Sequence, residues 1–217
     1  MYKLFNIILI SCILVFCHCS NAQDQPNPNE LFQQDAEFGD KNTQYNLGMI
    51  YKNGYGMPKD YVKAVEWFKK SAVQGNKYAQ TNLGLMYEHG LGVTKDYVQA
   101  VEWYQKAANQ GNNYAQNSLA KMYQDGLGVT KDYTKAIEWY EKAANQGYAV
   151  AQYNLGMIYR NGLGAAVNYA KAIAWYEKAA NQGNKSAQTN LGQMYENGLG
   201  VPKDRVKALE WYRKAAS

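Results

Sequence analysis

Apolar and polar positions alternate along this chain in a pattern that recurs. Within NKYAQTNLGLMYEHGLGVTKDYVQAVEWYQKAANQG, which runs from Asn76 to Gly111, Ala79, Leu83, Met86, Tyr87 and Gly90 stand at three- and four-residue steps. That spacing predicts an amphipathic helix. Gly90 and Gly92 follow, and glycine readily takes the left-handed conformation in which a helix often ends. Asp96 is placed to cap a second helix starting at Tyr97. Tyr97, Ala100, Val101, Tyr104 and Ala108 form its apolar stripe, and Trp103 beside Ala100 and Ala107 widens it. Gly111 closes this helix, and Asn112 is positioned to cap the next one.

Sliding the chain along itself brings the pattern into register five times. Trp67, Trp103, Trp139, Trp175 and Trp211 are each 36 residues apart. Leu47, Leu83, Leu119, Leu155 and Leu191 form a second column. Tyr51, Tyr87, Tyr123, Tyr159 and Tyr195 form a third, and Gln44, Gln80, Gln116, Gln152 and Gln188 a fourth. The expectation is an all-α solenoid of five helix-turn-helix units over 40–75, 76–111, 112–147, 148–183 and 184–217. No single unit can bury its tryptophan alone, so neighbours should share one core. Small residues such as Gly84, Ala100, Ala107 and Ala108 should let the helices approach closely.

The ends differ from the repeat. Leu31, Phe32, Ala36 and Gly39 stand 36 residues before Trp67, Phe68, Ala72 and Gly75, so residues 30–39 read as an N-terminal capping helix. Residues 23–29, with Pro26 and Pro28, read as a flexible lead-in. The last helix carries Val206, Leu209, Trp211 and Tyr212 with no helix after it in the sequence, which predicts weak self-association or fraying there.

Composition narrows the picture. With 47% hydrophobic and 14% aromatic residues, the chain has material for a core and is not of disordered type. The formal charge of +5 is not clustered in the way nucleic-acid binding needs. Lys3 followed by the apolar stretch from Leu4 to Phe16 and by Ser20-Asn21-Ala22 predicts a signal peptide over 1–22, with the exported protein beginning at Gln23. The apolar run is short for a membrane span, so no transmembrane segment is expected after cleavage. Cys17 and Cys19 offer a lipoprotein alternative, but Phe16 and His18 precede them where a small residue is wanted. All three cysteines lie in the first 19 residues, so the mature chain would rely on packing alone.

Candidate chemistry is sparse. His89 is the one histidine beyond residue 22, in a column otherwise filled by Asn53, Asp125, Asn161 and Asn197, and it reads as a tolerant helix end. Metal-ligand spacing and nucleophile–base pairing are absent from the sequence, and no catalytic residue or cofactor is expected. Glu66, Glu102, Glu138 and Glu210 each precede a lysine by four positions, the favourable order for surface ion pairs. Lys70, Lys106, Lys142, Lys178 and Lys214 could also form a basic stripe, but a solvated face is the simpler reading.

The pattern A-x-x-x-L-G-x-M-Y-x-x-G-x-G-V-x-K-D-Y-x-K-A-x-E-W-Y-x-K-A-A-x-Q-G resembles the Sel1-like repeat, a relative of the tetratricopeptide repeat, from about Asp40 to Ser217. The resemblance implies a right-handed α/α superhelix and an adaptor or scaffold role. Some cysteine-rich secreted members are linked with β-lactam binding or hydrolysis, which leaves such an enzyme as the alternative. No unit here contains a cysteine, a departure from those members.

Four first-helix columns vary among the five copies while the framework holds. They share one helical face, which by the same resemblance lines a concave groove. The candidates for holding a protein or peptide partner are Tyr45, Met49, Lys52, Tyr78, Leu85, Glu88, Tyr114, Asn117, Lys121, Tyr153, Met157, Arg160, Gln193 and Glu196. An exposed surface under no constraint would vary in the same way. Tyr153 and Arg160 are expected to anchor the partner and, standing outside the repeating core, to leave thermal stability unmoved when changed to alanine. In unit four, Val167-Asn168 replaces the usual Lys-Asp and Ala174 the usual glutamate.

Overall fold

The computed structural model describes residues 36–217, and the body from Gly39 to Ser217 is one compact unit. The signal peptide, the lead-in and residues 30–35 of the expected capping helix lie outside the described residues; Ala36 and Glu37 are helical. The body contains ten complete helices. They are α1 (Lys41–Asn53), α2 (Tyr61–Val73), α3 (Lys77–His89), α4 (Tyr97–Asn109) and α5 (Asn113–Asp125). The series continues with α6 (Tyr133–Asn145), α7 (Ala149–Asn161), α8 (Tyr169–Asn181), α9 (Lys185–Asn197) and α10 (Arg205–Ala216). Odd-numbered helices are the first helices of the five units and even-numbered ones the second.

Local chemistry sets the helix ends as the pattern predicts. Asp96 Oδ1 accepts from the amides of Val98 (2.9 Å) and Gln99 (3.1 Å) at the start of α4. Asn112 does the same for Ala115 at 2.9 Å. Gly90 ends α3 with φ 69°. Gly92, also at positive φ, packs so closely on the Tyr61 carbonyl of the preceding unit that a Cβ there would overlap it. The turn is therefore also a contact between units.

Each first helix packs on its own second helix and on the second helix of the preceding unit, whereas successive first helices touch lightly. The leucine column is fully buried. The deepest aromatic layer is not the tryptophans but the residues after them. Phe68, Tyr104, Tyr140 and Tyr176 are buried to within 1% of completely. A Cβ on Gly84 would stand 2.5 Å from the Tyr104 ring, so the glycine admits the tyrosine. Ala120 fills the same position in unit three.

Two expectations need correcting. Trp67 is buried, but Trp103, Trp139, Trp175 and Trp211 are half-exposed on the flank of the second helices. The expected Glu–Lys pairs do not form either. Among the described residues one charged pair lies within 4.0 Å, Lys135 with Asp132 at 3.7 Å. Lys106, Lys142, Lys178 and Lys214 lie instead over the tryptophan three residues earlier, at 4.1, 3.7, 3.9 and 4.2 Å from the ring centroid. A flank tryptophan offers an apolar plate for the lysine stem and a negative face for its ammonium, which an exposed carboxylate does not match.

Buried polar groups join unit to unit. Gln80, Gln116, Gln152 and Gln188 each donate from Nε2 to the carbonyl of the alanine eight residues earlier, at 3.0–3.1 Å. These alanines end the second helix of the preceding unit. Within their own units, the first three glutamines also accept from Gln110, Gln146 and Gln182 at 2.7–2.8 Å. The fourth sequence column is thus a hydrogen-bonded seam.

Candidate functional site

The variable face is not one continuous site. Four candidates, Glu88, Tyr114, Asn117 and Lys121, converge on a hollow of about 420 Å³ between units two and four. His89, Ser118, Gln124, Tyr140, Tyr148, Val150 and Asn154 complete its lining. All but Tyr140 come from first helices or their caps, so the hollow opens on the expected face.

One variable column, Lys52, Glu88, Gln124, Arg160 and Glu196, runs beside the buried aromatics of the second helices, and its members Glu88 and Gln124 line the hollow. Glu88 accepts from the Tyr104 hydroxyl at 2.7 Å, Gln124 from Tyr140 at 3.2 Å and Glu196 from Tyr212 at 2.8 Å. In unit one the corresponding aromatic is Phe68, which has no hydroxyl to offer. Lys52 there donates to Asn82 of the next unit at 2.6 Å. Arg160 likewise donates to Asn190 at 2.9 Å, and the buried Tyr176 hydroxyl stands beside both without a well-aligned hydrogen bond to either.

This corrects the expectation that Arg160 and Tyr153 are free of structural duty. Arg160 ties unit four to unit five, and the Tyr153 ring lies 5.9 Å from that of Tyr176. Met157 accepts from Asn190 through sulfur at 3.7 Å. Removing Tyr153 and Arg160 together is therefore expected to lower stability, not to leave it unmoved.

The remaining candidates lie elsewhere. Tyr45 sits 5.9 Å from Phe68 and 6.0 Å from Tyr78 at the unit-one end. Leu85 packs on the core, and Met49 and Gln193 are half-buried. Burial lowers the Lys52 pKa below its ordinary value and raises that of Tyr45.

Sequence reasoning missed Tyr148. It occupies the N-cap column held elsewhere by Asp40, Asn76, Asn112 and Asn184, and it makes no side-chain cap bond. Its ring instead meets Tyr114 edge-on at 6.5 Å. An uncapped helix start costs about 0.5–2 kcal/mol, and here an aromatic wall stands in its place. The signal was in the sequence as the one aromatic among asparagines and an aspartate. Also missed was the column Asn46, Asn82, Ser118, Asn154, Asn190, of which Asn82, Asn154 and Asn190 bond across units; Asn154 donates to Asn117 at 3.0 Å. Burial and then the Glu88 charge raise the Tyr114 pKa, which places that carboxylate's field inside the hollow.

Among the described residues, no helix is long and apolar enough to cross a membrane. The Sel1 repeat family model matches residues 42–76, 77–112, 113–148, 149–184 and 185–217. The uropathogenic Escherichia coli protective antigen c5321, which displays an SLR fold, is similar at 40% identity and TM-score 0.81 over 87% of this chain. The chain spans only 40% of that protein's length. A Sel1 repeat protein from Oxalobacter formigenes is similar at 37% identity and TM-score 0.80, over 86% of this chain and 76% of its own. The immunity protein Pa5087 from Pseudomonas aeruginosa is similar at 25% identity and TM-score 0.57, over 89% and 75%. The search of curated proteins returned no match.

Proposed function

The chain belongs to the Sel1-repeat family, and on that premise we propose that it is an exported scaffold whose first-helix face holds a peptide segment of a partner protein. The observation that carries this reading is the hollow between units two and four. It gathers the unit-three members of all four variable columns, Tyr114, Asn117, Lys121 and Gln124, beside Glu88 and Tyr148. Tyrosines and a half-buried carboxylate over a rigid floor suit an interface, because aromatic anchors bring large contact area at small entropic cost. Repeat units supply the rigidity, since each is held by its neighbours.

Export rests on the N-terminal pattern, Lys3, the apolar stretch and Ser20-Asn21-Ala22. Mass spectrometry of the exported protein should give Gln23 as its first residue; a lipidated species beginning at Cys17 or Cys19 would place it on a membrane instead. A weak contact with a second copy belongs to the same reading. Val206 and Leu209 on α10 are 68% and 54% exposed, and sedimentation should detect a concentration-dependent dimer.

The groove itself is tested by partner capture from envelope and host-membrane extracts with the exported form. Tyr114→Ala should weaken binding of the captured partner by about 2–4 kcal/mol. Lys106→Ala and Lys142→Ala, on the outer flank, should leave it intact. Loss of binding through the flank variants alone would move the site to the other face.

A further inference from the structure

The chain covers many of its aromatic rings with its own cations. Thirteen rings, among them all five tryptophans, each carry a lysine ammonium within 5.8 Å of the centroid. Tyr114 and Tyr148, the edge-on pair that walls the hollow, are among the described rings that carry no lysine, as are Tyr45, Tyr104, Tyr140 and Tyr153. Glu88 stands at the same hollow, half-buried. One of its oxygens accepts from Tyr104, and a carboxylate retains further acceptor capacity beyond that bond. Asp125, at the end of the helix that carries Gln124, adds a second negative field, felt at Tyr140. Against these two carboxylates stands one ammonium, Lys121, exposed and one turn beyond Asn117.

We propose that the hollow reads a basic side chain of the partner, its cationic head received against the open ring faces of the Tyr114–Tyr148 pair and paired with Glu88. Negative ring faces and a carboxylate in a half-buried place form the electrostatic complement of a guanidinium or ammonium group. The uncapped Tyr148 has a purpose in this arrangement. Asparagine at that position would cap α7 and leave the cation one wall. Lys121 works against the cation and so limits affinity, which gives the proposal a signed prediction. The proposal rests on the groove reading and names the chemistry the groove selects.

The experiment is a nuclear magnetic resonance titration of the full exported chain with three probe tripeptides, acetyl-Gly-Arg-Gly-amide, its citrulline analogue and acetyl-Gly-Glu-Gly-amide. The arginine peptide should move the Tyr114 and Tyr148 ring signals, with the neutral isostere about tenfold weaker. Glu88→Gln should weaken the arginine peptide by about the same factor. That variant keeps an acceptor for Tyr104, as Gln124 does for Tyr140, so its melting should stay near that of the parent. Tyr148→Asn, which restores a cap, should weaken binding without loss of fold. Lys121→Ala should tighten it.

Equal binding of arginine and citrulline peptides, or weaker binding by Lys121→Ala, overturns the proposal. If the glutamate peptide moves the same rings, the groove reading stands and the cation reading falls. If no peptide perturbs this face, both fall.

Discussion

Units two and four have the same fully buried leucines, Leu83 and Leu155, the same buried tyrosines, Tyr104 and Tyr176, and the same glutamine seam, yet they differ at several other polar junctions. Asn76 caps α3, and its amide also reaches Asn42 of the preceding unit at 3.2 Å. Tyr148 caps nothing. Glu88 satisfies Tyr104 within its own unit, whereas Arg160 reaches forward to Asn190 and leaves the Tyr176 hydroxyl without a well-aligned partner. Lys95 lies 4.6 Å from the Tyr97 ring, and Val167 offers no such cation to Tyr169. The apolar framework fixes the fold so firmly that the polar network can be rebuilt on it, and unit four has used that freedom.

Alkaline pH should test the difference most strongly. Burial raises the phenol pKa of Tyr104, and the Glu88 charge raises it further; at Tyr176 the Arg160 charge opposes burial and leaves it at about 12. A phenol held above its ordinary value of 10.0 contributes stability that is complete below pH 10.0 and is lost as pH rises through about 12. Thermal melts should therefore fall across that window. Ultraviolet titration of Tyr104→Phe and Tyr176→Phe should show Tyr176 ionising first. The reverse order would undo the comparison.

The same two variants sharpen it at neutral pH. Tyr104→Phe removes a hydrogen bond to a charged acceptor and should cost about 1.5–3 kcal/mol. Tyr176→Phe removes a hydroxyl that has no well-aligned partner and should be neutral or stabilising by up to about 1 kcal/mol. Phe68 already occupies this column in unit one. Denaturant unfolding that gave equal losses would show that Tyr176 is satisfied after all.

Exchanging the caps comes next in size. Asn76→Ala should destabilise by about 1 kcal/mol and Tyr148→Asn should stabilise by a similar amount. Melting temperatures that moved together would refute the asymmetry. The smallest effect belongs to the loop. Lys95→Val should cost roughly 0.5–1 kcal/mol through the lost ring contact, and Val167→Lys should recover as much.

How much of this was legible in the sequence depends on which physics each residue obeys. The helices, their caps at Asp96 and Asn112 and their glycine ends follow from local chemistry, and a single unit displays them. The Gln80 column was visible as a repeat, but its bonds, to Ala72 of the preceding unit and to Gln110 at the far end of its own, join parts of the chain that only folding brings together. Lys106 was read as a partner of Glu102 because both pairings are one helical turn long; the half-exposed Trp103 decides between them, and exposure is a tertiary property. Arg160 seemed free because variability was taken for idleness. The residue changes from unit to unit because its partner changes, between a hydroxyl on its own second helix and an asparagine on the next first helix. Four of the fourteen candidates meet in the hollow, and Tyr148 was visible only to a comparison that asked of each cap column which member could not cap.

The glutamine seam has a mechanical meaning as well. Each link joins only adjacent units, so a pull along the chain loads junctions of the same design one after another. Each released unit of 36 residues would lengthen to about 120 Å when extended. Under force the body would behave as a row of matched fuses, giving way in similar steps from whichever end is less well held. A tether between two surfaces built this way could lengthen without parting.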